Sequence, residues 1–353
     1  MTLKNNKHGN IFNCIQALVA LISPVFKLFV IPLFLLLAAC TATPSISDLP
    51  AKYDIAPDAE AVTLKTTDDL TLFGQWWIPE SQHPPKAVVL LVHGTYVHSG
   101  FYSNWAHHLS QHGYAVFGID LRGWGQSQGF GRRGYVRNFD EYVDDLVLAY
   151  QKVKARYPGK QIFLQGESLG GLVVLLSQEK GQTPADGLVL NAPAIRPALS
   201  MGPLHTPNWI ADFSLWTLGV PGSLFPNQPT LVPGAVVEMF AGLAVKSDEL
   251  VRDFKADPHV VHTALPLGFI TAVQKGTAEV QEGLKYVHKP LIILQGTRDS
   301  LVPLSSSEYA MDNVQSSDKT LKVYEGMSHA TLHDTGHEQV WLDITSWLDE
   351  RVR

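Results

Sequence analysis

One pentapeptide near the middle of the chain constrains the fold more than any other feature. Residues 166–170 read Gly-Glu-Ser-Leu-Gly, a G-x-S-x-G motif between a strand-like apolar stretch, 161–165, and a helix-like one, 169–180. A serine hydroxyl is a weak nucleophile and must stand exposed on a sharp turn beside a base, and the two glycines keep side chains out of that turn. In this strand–turn–helix context the motif predicts a nucleophilic serine, Ser168, rather than a helix entry of small residues without chemistry.

From about residue 62 onward, strand-like and helix-like segments alternate along the chain. The predicted strands are 62–65, 70–78, 87–92, 114–119, 161–165, 187–190, 291–295 and 321–324, and the predicted helices are 101–112, 139–157, 169–180 and 340–348. Apolar strands that alternate with helices build a mostly parallel sheet with helices on both faces. We therefore predict an α/β fold whose first two strands form a hairpin.

A nucleophilic serine needs a base and an acid that orients the base, and in this architecture they follow in the order serine, acid, histidine. Asp299 comes just after the strand predicted at 291–295, and His329 comes just after the strand at 321–324. Both positions reach the same edge of the sheet as Ser168. Asp299 is thus expected to hold His329 in the correct tautomer, with three competing acids that are less well placed: Asp312, Glu325 and Asp334.

The reaction also needs two backbone donors for the developing oxyanion. One is the N–H of Leu169, which follows the nucleophile, and the other is expected from Thr95 in the loop after the strand at 87–92. Tyr96 is the alternative to Thr95. We expect His93, at the start of this loop, to brace the backbone rather than take part in catalysis.

The middle of the chain departs from the strand–helix alternation. Residues 196–235 contain seven prolines, and residues 197–237 contain one charged residue, Asp212. We predict that 196–285 is a helical cap inserted into a core made of 56–195 and 286–353. A tryptophan-containing segment of such low charge suits an apolar ligand or a membrane surface, and ordinary core packing of a second lobe is the alternative.

The amino-terminal segment has the pattern of an export signal. Lys4 and Lys7 precede a largely apolar run, 11–39, which ends in small residues. The sequence Leu-Ala-Ala-Cys at 37–40 resembles a bacterial lipobox, so we predict a signal peptide, 1–39, a lipidated Cys40 and a tether, 40–55. The residue after Cys40 is Thr41 rather than an aspartate, which resembles lipoproteins that are sorted to an outer membrane. The alternative is an uncleaved anchor, because 18–39 is long enough to span a bilayer; in either case the body lies outside the cytoplasm.

Composition and motif context exclude several other classes of function. Acidic residues outnumber basic ones, 33 to 27, which disfavours nucleic acid as a partner. The G-x-G-x-x-G at 129–134 lies too far from its strand to bind a dinucleotide, and His329, His333 and His337 lack a metal motif. The two cysteines, Cys14 and Cys40, both precede the body. We therefore expect no cofactor, no metal and no thiol nucleophile.

Several sequence blocks together resemble a known family. Residues 93–102, the D-x-R-G-x-G-x-S segment 120–127, and the blocks 296–299 and 324–329 are similar to those of monoacylglycerol lipases and lysophospholipases, in the serine aminopeptidase-like branch of the α/β-hydrolases. The dipeptide Asp257-Pro258 also matches. The resemblance covers about 62–353 and implies a sheet of eight strands with a mobile cap that admits lipid. The chain departs from the family at Glu167, where a histidine is frequent, and at 200–250.

The residues and the resemblance together predict a membrane-tethered serine hydrolase that cleaves the acyl ester of a monoacylglycerol or a lysophospholipid. Its expected contacts are the lipid ester and the membrane, the latter through Cys40 and, as a second candidate, the cap. One alternative is an esterase, amidase or aminopeptidase that acts on small soluble substrates. Another is a lipid-binding lipoprotein without catalytic activity, against which the set Ser168, Asp299 and His329 argues.

Overall fold

The computed structural model describes residues 45–50, 52–80, 83–197, 224, 226–230 and 241–353. The predicted signal peptide, Cys40, the first residues of the tether and much of the predicted cap lie outside these ranges. The rest of the tether is docked rather than extended from the body, because the N–H of Ser47 donates to the carbonyl of Gly129 (2.9 Å). Within the described ranges, no helix has both the length and the apolar character needed to cross a membrane.

The described part of the chain forms an eight-stranded, mostly parallel sheet. The strands are β1 Ala59–Lys65, β2 Thr71–Trp77, β3 Val88–Val92, β4 Ala115–Ile119, β5 Ile162–Glu167, β6 Gly187–Asn191, β7 Leu291–Gly296 and β8 Lys319–Tyr324. Their order is β1-β2-β4-β3-β5-β6-β7-β8. The β1–β2 and β2–β4 pairs are antiparallel and the others parallel, so the predicted α/β architecture and its opening hairpin are confirmed.

Helices cover both faces of this sheet. They are α1 Ser103–Gln111, α2 Phe139–Arg156, α3 Leu169–Glu179, α4 Asp248–Ala256, α5 Leu267–Gly283, α6 Leu304–Asn313 and α7 His337–Asp349. A 3-10 turn, Ser99–Tyr102, precedes α1. The prediction missed α6 because its buried residues are Ser306, Ser307 and Ala310, which give no apolar period.

The two layers of the core can be read from β3, all of whose side chains are buried. Val88, Leu90 and Val92 belong to the cluster shared with α2, α3 and α5, whereas Val89 and Leu91 belong to the cluster shared with α1 and α7. This division follows from the alternation of side chains along a strand. Burying each such side chain contributes about 1.5–3 kcal/mol, so both helix layers are tied firmly to the strand that leads into the predicted oxyanion loop.

The segment between β6 and β7 carries α4 and α5. Phe269, Ala272 and Val280 of α5 lie in the same core cluster as the residues of α3. The final helix of the predicted cap is therefore packed into the core along one side. The cap boundaries at 196 and 285 remain a prediction.

Candidate active site

Ser168 stands on a sharp turn between β5 and α3. Its backbone has φ 51° and ψ −111°, a conformation that costs a non-glycine residue about 1–3 kcal/mol. The glycines around it allow the close approach. A Cβ on Gly170 would lie 2.2 Å from the carbonyl oxygen of Val92, and one on Gly166 would lie 2.4 Å from the carbonyl carbon of Gly170. The turn can therefore form only with glycine at both positions.

The structure brings His329 and Asp299 into direct contact. The Nδ1 atom of His329 lies 2.7 Å from Oδ2 of Asp299, and both residues are buried. Because the carboxylate is an acceptor, Nδ1 carries the proton and Nε2 is left as the acceptor. This is the tautomer required of a base that takes a proton from a serine.

The charge environment makes His329 a stronger base than an ordinary histidine. Burial by itself disfavours the imidazolium form, but the Asp299 carboxylate, its hydrogen bond and the charge of Glu167 outweigh it and raise the pKa of His329 above its usual value. An adjacent carboxylate stabilises the imidazolium that forms when a proton is taken up. The site is thus arranged to accept a proton at His329.

Asp299 is itself held by four hydrogen bonds. Its Oδ1 accepts from the N–H groups of Leu301 (2.9 Å) and Val302 (2.8 Å), and its Oδ2 accepts from Nε2 of Gln295 (2.8 Å) as well as from His329. Gln295 is buried and in turn accepts from the hydroxyl of Ser307 (2.7 Å). The acid therefore has a single orientation.

The three competing acids occupy other positions. Asp312 and Glu325 are exposed. Asp334 is buried, but its carboxylate accepts from the backbone N–H groups of Ser328 (2.7 Å) and Lys246 (2.9 Å). Asp334 therefore braces the loop that carries His329 and does not contact the imidazole.

His93 fixes the peptide that bears the Thr95 N–H. The Nδ1 atom of His93 donates to the carbonyl of Gly94 (2.7 Å), and its Nε2 accepts from the N–H of Leu121 (3.1 Å). The Gly94 carbonyl and the Thr95 N–H belong to one planar peptide unit and point in opposite directions, so holding the carbonyl aims the N–H. Burial lowers the pKa of His93 to about 4, which keeps the ring neutral as this bonding requires.

The D-x-R-G-x-G-x-S segment supports the same loop. Asp120 is fully buried, and its carboxylate accepts from the N–H groups of Ser99 (2.7 Å) and Gln126 (2.8 Å). Arg122 forms a buried ion pair with Asp145 of α2, with the Nη2 and Oδ1 atoms 2.6 Å apart. These residues act on the backbone around the site rather than inside it.

A cavity of about 260 Å³ opens at this edge of the sheet. Ser168, Leu169, Thr95 and His329 all lie in its wall, while Asp299 lies behind His329. The rest of the wall is mainly apolar and comes from both the core and the inserted segment: Val97, Leu172, Val302, Leu250, Phe254 and Phe269. The predicted site residues in the described part of the chain are thus gathered around one apolar cavity.

The motifs set aside in the sequence have other structural roles. His333 is partly buried in the wall of the cavity, where its ring packs against Phe101 and Tyr102, and the loss of hydration there lowers its pKa to about 3. Among the described residues no group of three potential ligands could hold a metal ion. The glycines at 129–134 lie in the long loop between β4 and α2.

Three residues shape the site in ways that the sequence did not predict: Gln295, and Asp120 and Tyr102, which were noted only as parts of blocks that resemble the family. Each is a polar or partly polar side chain that is fully buried. For Gln295 the available signal was a glutamine inside the apolar strand that precedes Asp299, since a buried amide needs partners. Which partners it finds depends on chain segments far apart in the sequence.

Comparison with known proteins agrees with this geometry. A family model described as serine aminopeptidase, S33 (Hydrolase_4) matches residues 83–336. A monoacylglycerol lipase from Mycolicibacterium smegmatis is 29% identical over 77% of this chain and 90% of its own. A caffeoylshikimate esterase from Arabidopsis thaliana is 30% identical over 69% of this chain and 71% of its own.

The fold is similar to that of a soluble variant of monoglyceride lipase from Saccharomyces cerevisiae, solved in complex with a substrate analogue. That structure aligns with a TM-score of 0.70 at 20% identity, covering 87% of this chain and 100% of the other. The α/β-hydrolase fold expected from the sequence is thereby confirmed.

Proposed function

The chain belongs to the serine aminopeptidase S33 (Hydrolase_4) family, and we propose that it hydrolyses the acyl ester of single-chain lipids, monoacylglycerols above all. The observation that carries the proposal is the apolar cavity that has Ser168 and His329 in its wall, with Asp299 bonded to His329. The monoacylglycerol lipase among the relatives supports the same substrate class.

The first half of the proposed reaction forms an acyl-enzyme. Oγ of Ser168 attacks the ester carbonyl carbon while Nε2 of His329 takes its proton. The tetrahedral oxyanion accepts hydrogen bonds from the backbone N–H groups of Thr95 and Leu169; the latter lies in the first turn of α3, where N–H groups have no partner within the helix. The C–O bond then breaks, and the alcohol leaves with the proton from His329.

The second half repeats these steps with water in place of the serine. His329 takes a proton from water, the resulting hydroxide attacks the acyl carbon, and Ser168 leaves with the proton that His329 returns. The products are a free fatty acid and the restored enzyme. Asp299 keeps its hydrogen bond to His329 and stabilises each imidazolium that forms.

Charge decides between the two lipid head groups that the sequence left open. The described wall of the cavity contains no lysine or arginine, and the whole segment 197–245 contains neither. A phosphate group in this cavity would lack a cationic partner, and a buried unpaired charge is costly. We therefore favour monoacylglycerols over lysophospholipids.

The second candidate function is hydrolysis of small soluble esters or amides. The similarity to a caffeoylshikimate esterase favours it. The mainly apolar wall argues against it, because a small polar acyl group would gain little from burial there.

We further propose that the protein is a lipoprotein of a bacterial cell envelope, exported by residues 1–39 and anchored through Cys40, with an outer membrane as its destination. This proposal is supported by the sequence pattern 37–40 and by Thr41. An anchored enzyme would meet monoacylglycerols in the membrane that holds them.

The test is hydrolysis by the full-length protein in detergent, beside Ser168→Ala and the control Ser177→Ala. Ser177 is also buried in α3, but it bonds to Val174 and Thr183 away from the cavity. The substrates are a long-chain monoacylglycerol, a lysophosphatidylcholine of the same chain, a short aryl ester and an aminoacyl amide. We expect wild type and Ser177→Ala to cleave the monoacylglycerol faster than the other three substrates. Ser168→Ala should cleave none of them. Preference for the short ester or the amide would contradict the lipid assignment.

A further inference from the structure

Glu167, the residue before Ser168, is a buried carboxyl group that the proposed reaction does not use. It ends β5, is 6% exposed and lies in the wall of the same cavity. Its Oε1 accepts a hydrogen bond from the Tyr102 hydroxyl (2.8 Å), whereas its Oε2 is buried with no hydrogen-bond partner in the described part of the chain. A buried carboxyl group with one oxygen unpaired destabilises a fold, so a role at the site would explain its presence.

Tyr102 connects this carboxyl group to the oxyanion loop. Tyr102 is fully buried at the end of the 3-10 turn before α1. Its hydroxyl donates to Glu167 and accepts from the N–H of Gly94 (3.0 Å). Gly94 is the residue whose carbonyl shares a peptide plane with the Thr95 N–H. Two hydrogen bonds therefore hold Gly94, one from His93 at its carbonyl and one to Tyr102 at its N–H.

We propose that Glu167 is a positioning residue of the oxyanion hole, acting through Tyr102 to hold Gly94 so that the Thr95 N–H stays aimed at the oxyanion on Ser168. The inference rests on the proposed ester hydrolysis and deepens it. A carboxyl oxygen accepts the Tyr102 proton, which leaves the tyrosine oxygen free to accept from Gly94.

The charge of Glu167 adds a second readout. Burial raises the pKa of Glu167 to about 7. The titratable groups that face it are Tyr102 from the 3-10 turn, His329 from the loop after β8 and Asp299 from the loop after β7. The carboxylate form of Glu167 helps to raise the pKa of His329. Glu167→Gln removes that charge, and the pKa of His329 should therefore fall. Since the neutral form of His329 is the base, the loss of kcat/KM on acidification should then occur at a lower pH.

The test uses Tyr102→Phe, Glu167→Ala, Glu167→Gln and the double variant Tyr102→Phe/Glu167→Ala. For each, kcat and KM are measured on a monoacylglycerol, and Ki is measured for an alkyl trifluoromethyl ketone. The ketone forms a tetrahedral adduct in which Oγ of Ser168 bonds to carbon, the serine proton passes to His329, and the oxyanion occupies the hole. Its affinity therefore reports the oxyanion geometry directly.

We expect Tyr102→Phe and Glu167→Ala to lower kcat by about 10- to 100-fold. This is a smaller loss than the roughly 10²- to 10³-fold fall in kcat when an oxyanion-hole donor is removed altogether. Ketone affinity should fall by a similar factor, with KM nearly unchanged. Glu167→Gln keeps an acceptor oxygen and should restore most of kcat. The double variant should be no worse than the worse single variant, because the two residues act in series.

The matched control is Tyr114→Phe. Tyr114 is equally buried, and its hydroxyl donates to the carboxylate of Asp349 (2.7 Å) away from the cavity. It should lose thermal stability without losing kcat or ketone affinity. Normal kcat and ketone affinity in Glu167→Ala, a loss confined to KM, or additive effects in the double variant would overturn the proposal. A wild-type protein that binds the ketone but cleaves no ester would instead overturn the proposed function. The effect of Glu167 on the oxyanion hole through Tyr102 and Gly94 would still be testable in that case, because ketone affinity reports it without ester cleavage.

Discussion

At the scale of single residues, side chains that make and break no bonds decide the geometry of the site. Gln295 and two backbone N–H groups hold Asp299, Asp299 holds His329, and His93 holds the carbonyl of Gly94. All of these contacts are buried except the partly buried one from the Leu301 N–H, and a buried polar group left unpaired would cost about 1–3 kcal/mol. The low-dielectric surroundings therefore enforce one arrangement of the predicted catalytic groups.

The first prediction concerns Asp299→Asn, which removes the charge next to His329 and allows the wrong tautomer. We expect kcat to fall by about 10³–10⁴-fold. The pKa of His329 is raised by Asp299, and the neutral form is the active one. Wild-type activity is therefore lost as the pH falls through that raised pKa, and in Asp299→Asn the loss should occur at lower pH. The measurement is kcat/KM against pH.

Asp186→Asn is the matched control for this prediction. Its carboxylate accepts from the N–H of Ile162 (2.8 Å), at the start of β5 rather than at its end. It should leave the pH profile unchanged. If kcat/KM of Asp299→Asn is lost at the same low pH as in the wild type, the assignment of Asp299 as the partner of His329 is wrong.

At the scale of elements, parallel pairing gathers the site at one edge of the sheet. Thr95, Ser168, Asp299 and His329 follow the ends of β3, β5, β7 and β8, which all run in the same direction. Residues just past the carboxyl ends of parallel strands meet at that edge. Parallel strand pairing is therefore sufficient to bring together these groups, which are far apart in the sequence.

The second prediction concerns the turn that joins β5 to α3. Gly170→Ala places a Cβ 2.2 Å from the backbone of Val92, which cannot move without disturbing β3. We expect a loss of at least about 3 kcal/mol, the upper end for overpacking, seen as a lower midpoint in urea denaturation. Gly242→Ala is the control, because a Cβ there meets nothing within 4 Å and lies on a helix. Equal stability of the two variants would show that the turn is not as tight as described.

The sequence predicted these elements well where the signal was local. Buried strands and amphipathic helices are recognisable by their periodicity. Asp299 and His329 were predicted as a pair from their places after strands, and the structure places their side chains in contact. The helix α6 and the bonds of Gln295 and Tyr102 were not predictable in this way. Buried serines carry no apolar period, and a polar side chain in an apolar run shows that it has a partner without showing which one.

At the scale of the whole molecule, helices pack on both faces of the sheet. The segment between β6 and β7 forms one side of the apolar cavity. The cap was expected from its proline content and low charge, and α4 and α5 supply part of the cavity wall. The packing of α5 into the core was not expected. Its buried face holds the large apolar residues Phe269 and Val280, but between them Ala272 and Gly276 are too small to continue an apolar period in the sequence.

The third prediction concerns the membrane. Cys40→Ala should move the protein from the membrane fraction to the soluble fraction and abolish labelling by a radioactive fatty acid, because the thioether-linked lipid would be absent. Cys14→Ala is the control and should change neither. A Cys40→Ala protein that stays in the membrane would support the uncleaved anchor instead.

The most direct test of the account is to treat the protein with an alkyl fluorophosphonate and map the modified residue by mass spectrometry. The reagent bonds to an activated serine oxygen as fluoride leaves. We predict a single adduct on Ser168, slowed by monoacylglycerol and absent from Ser168→Ala. No adduct, or an adduct on another residue, would contradict the assignment of Ser168 as the nucleophile on which the proposed function depends.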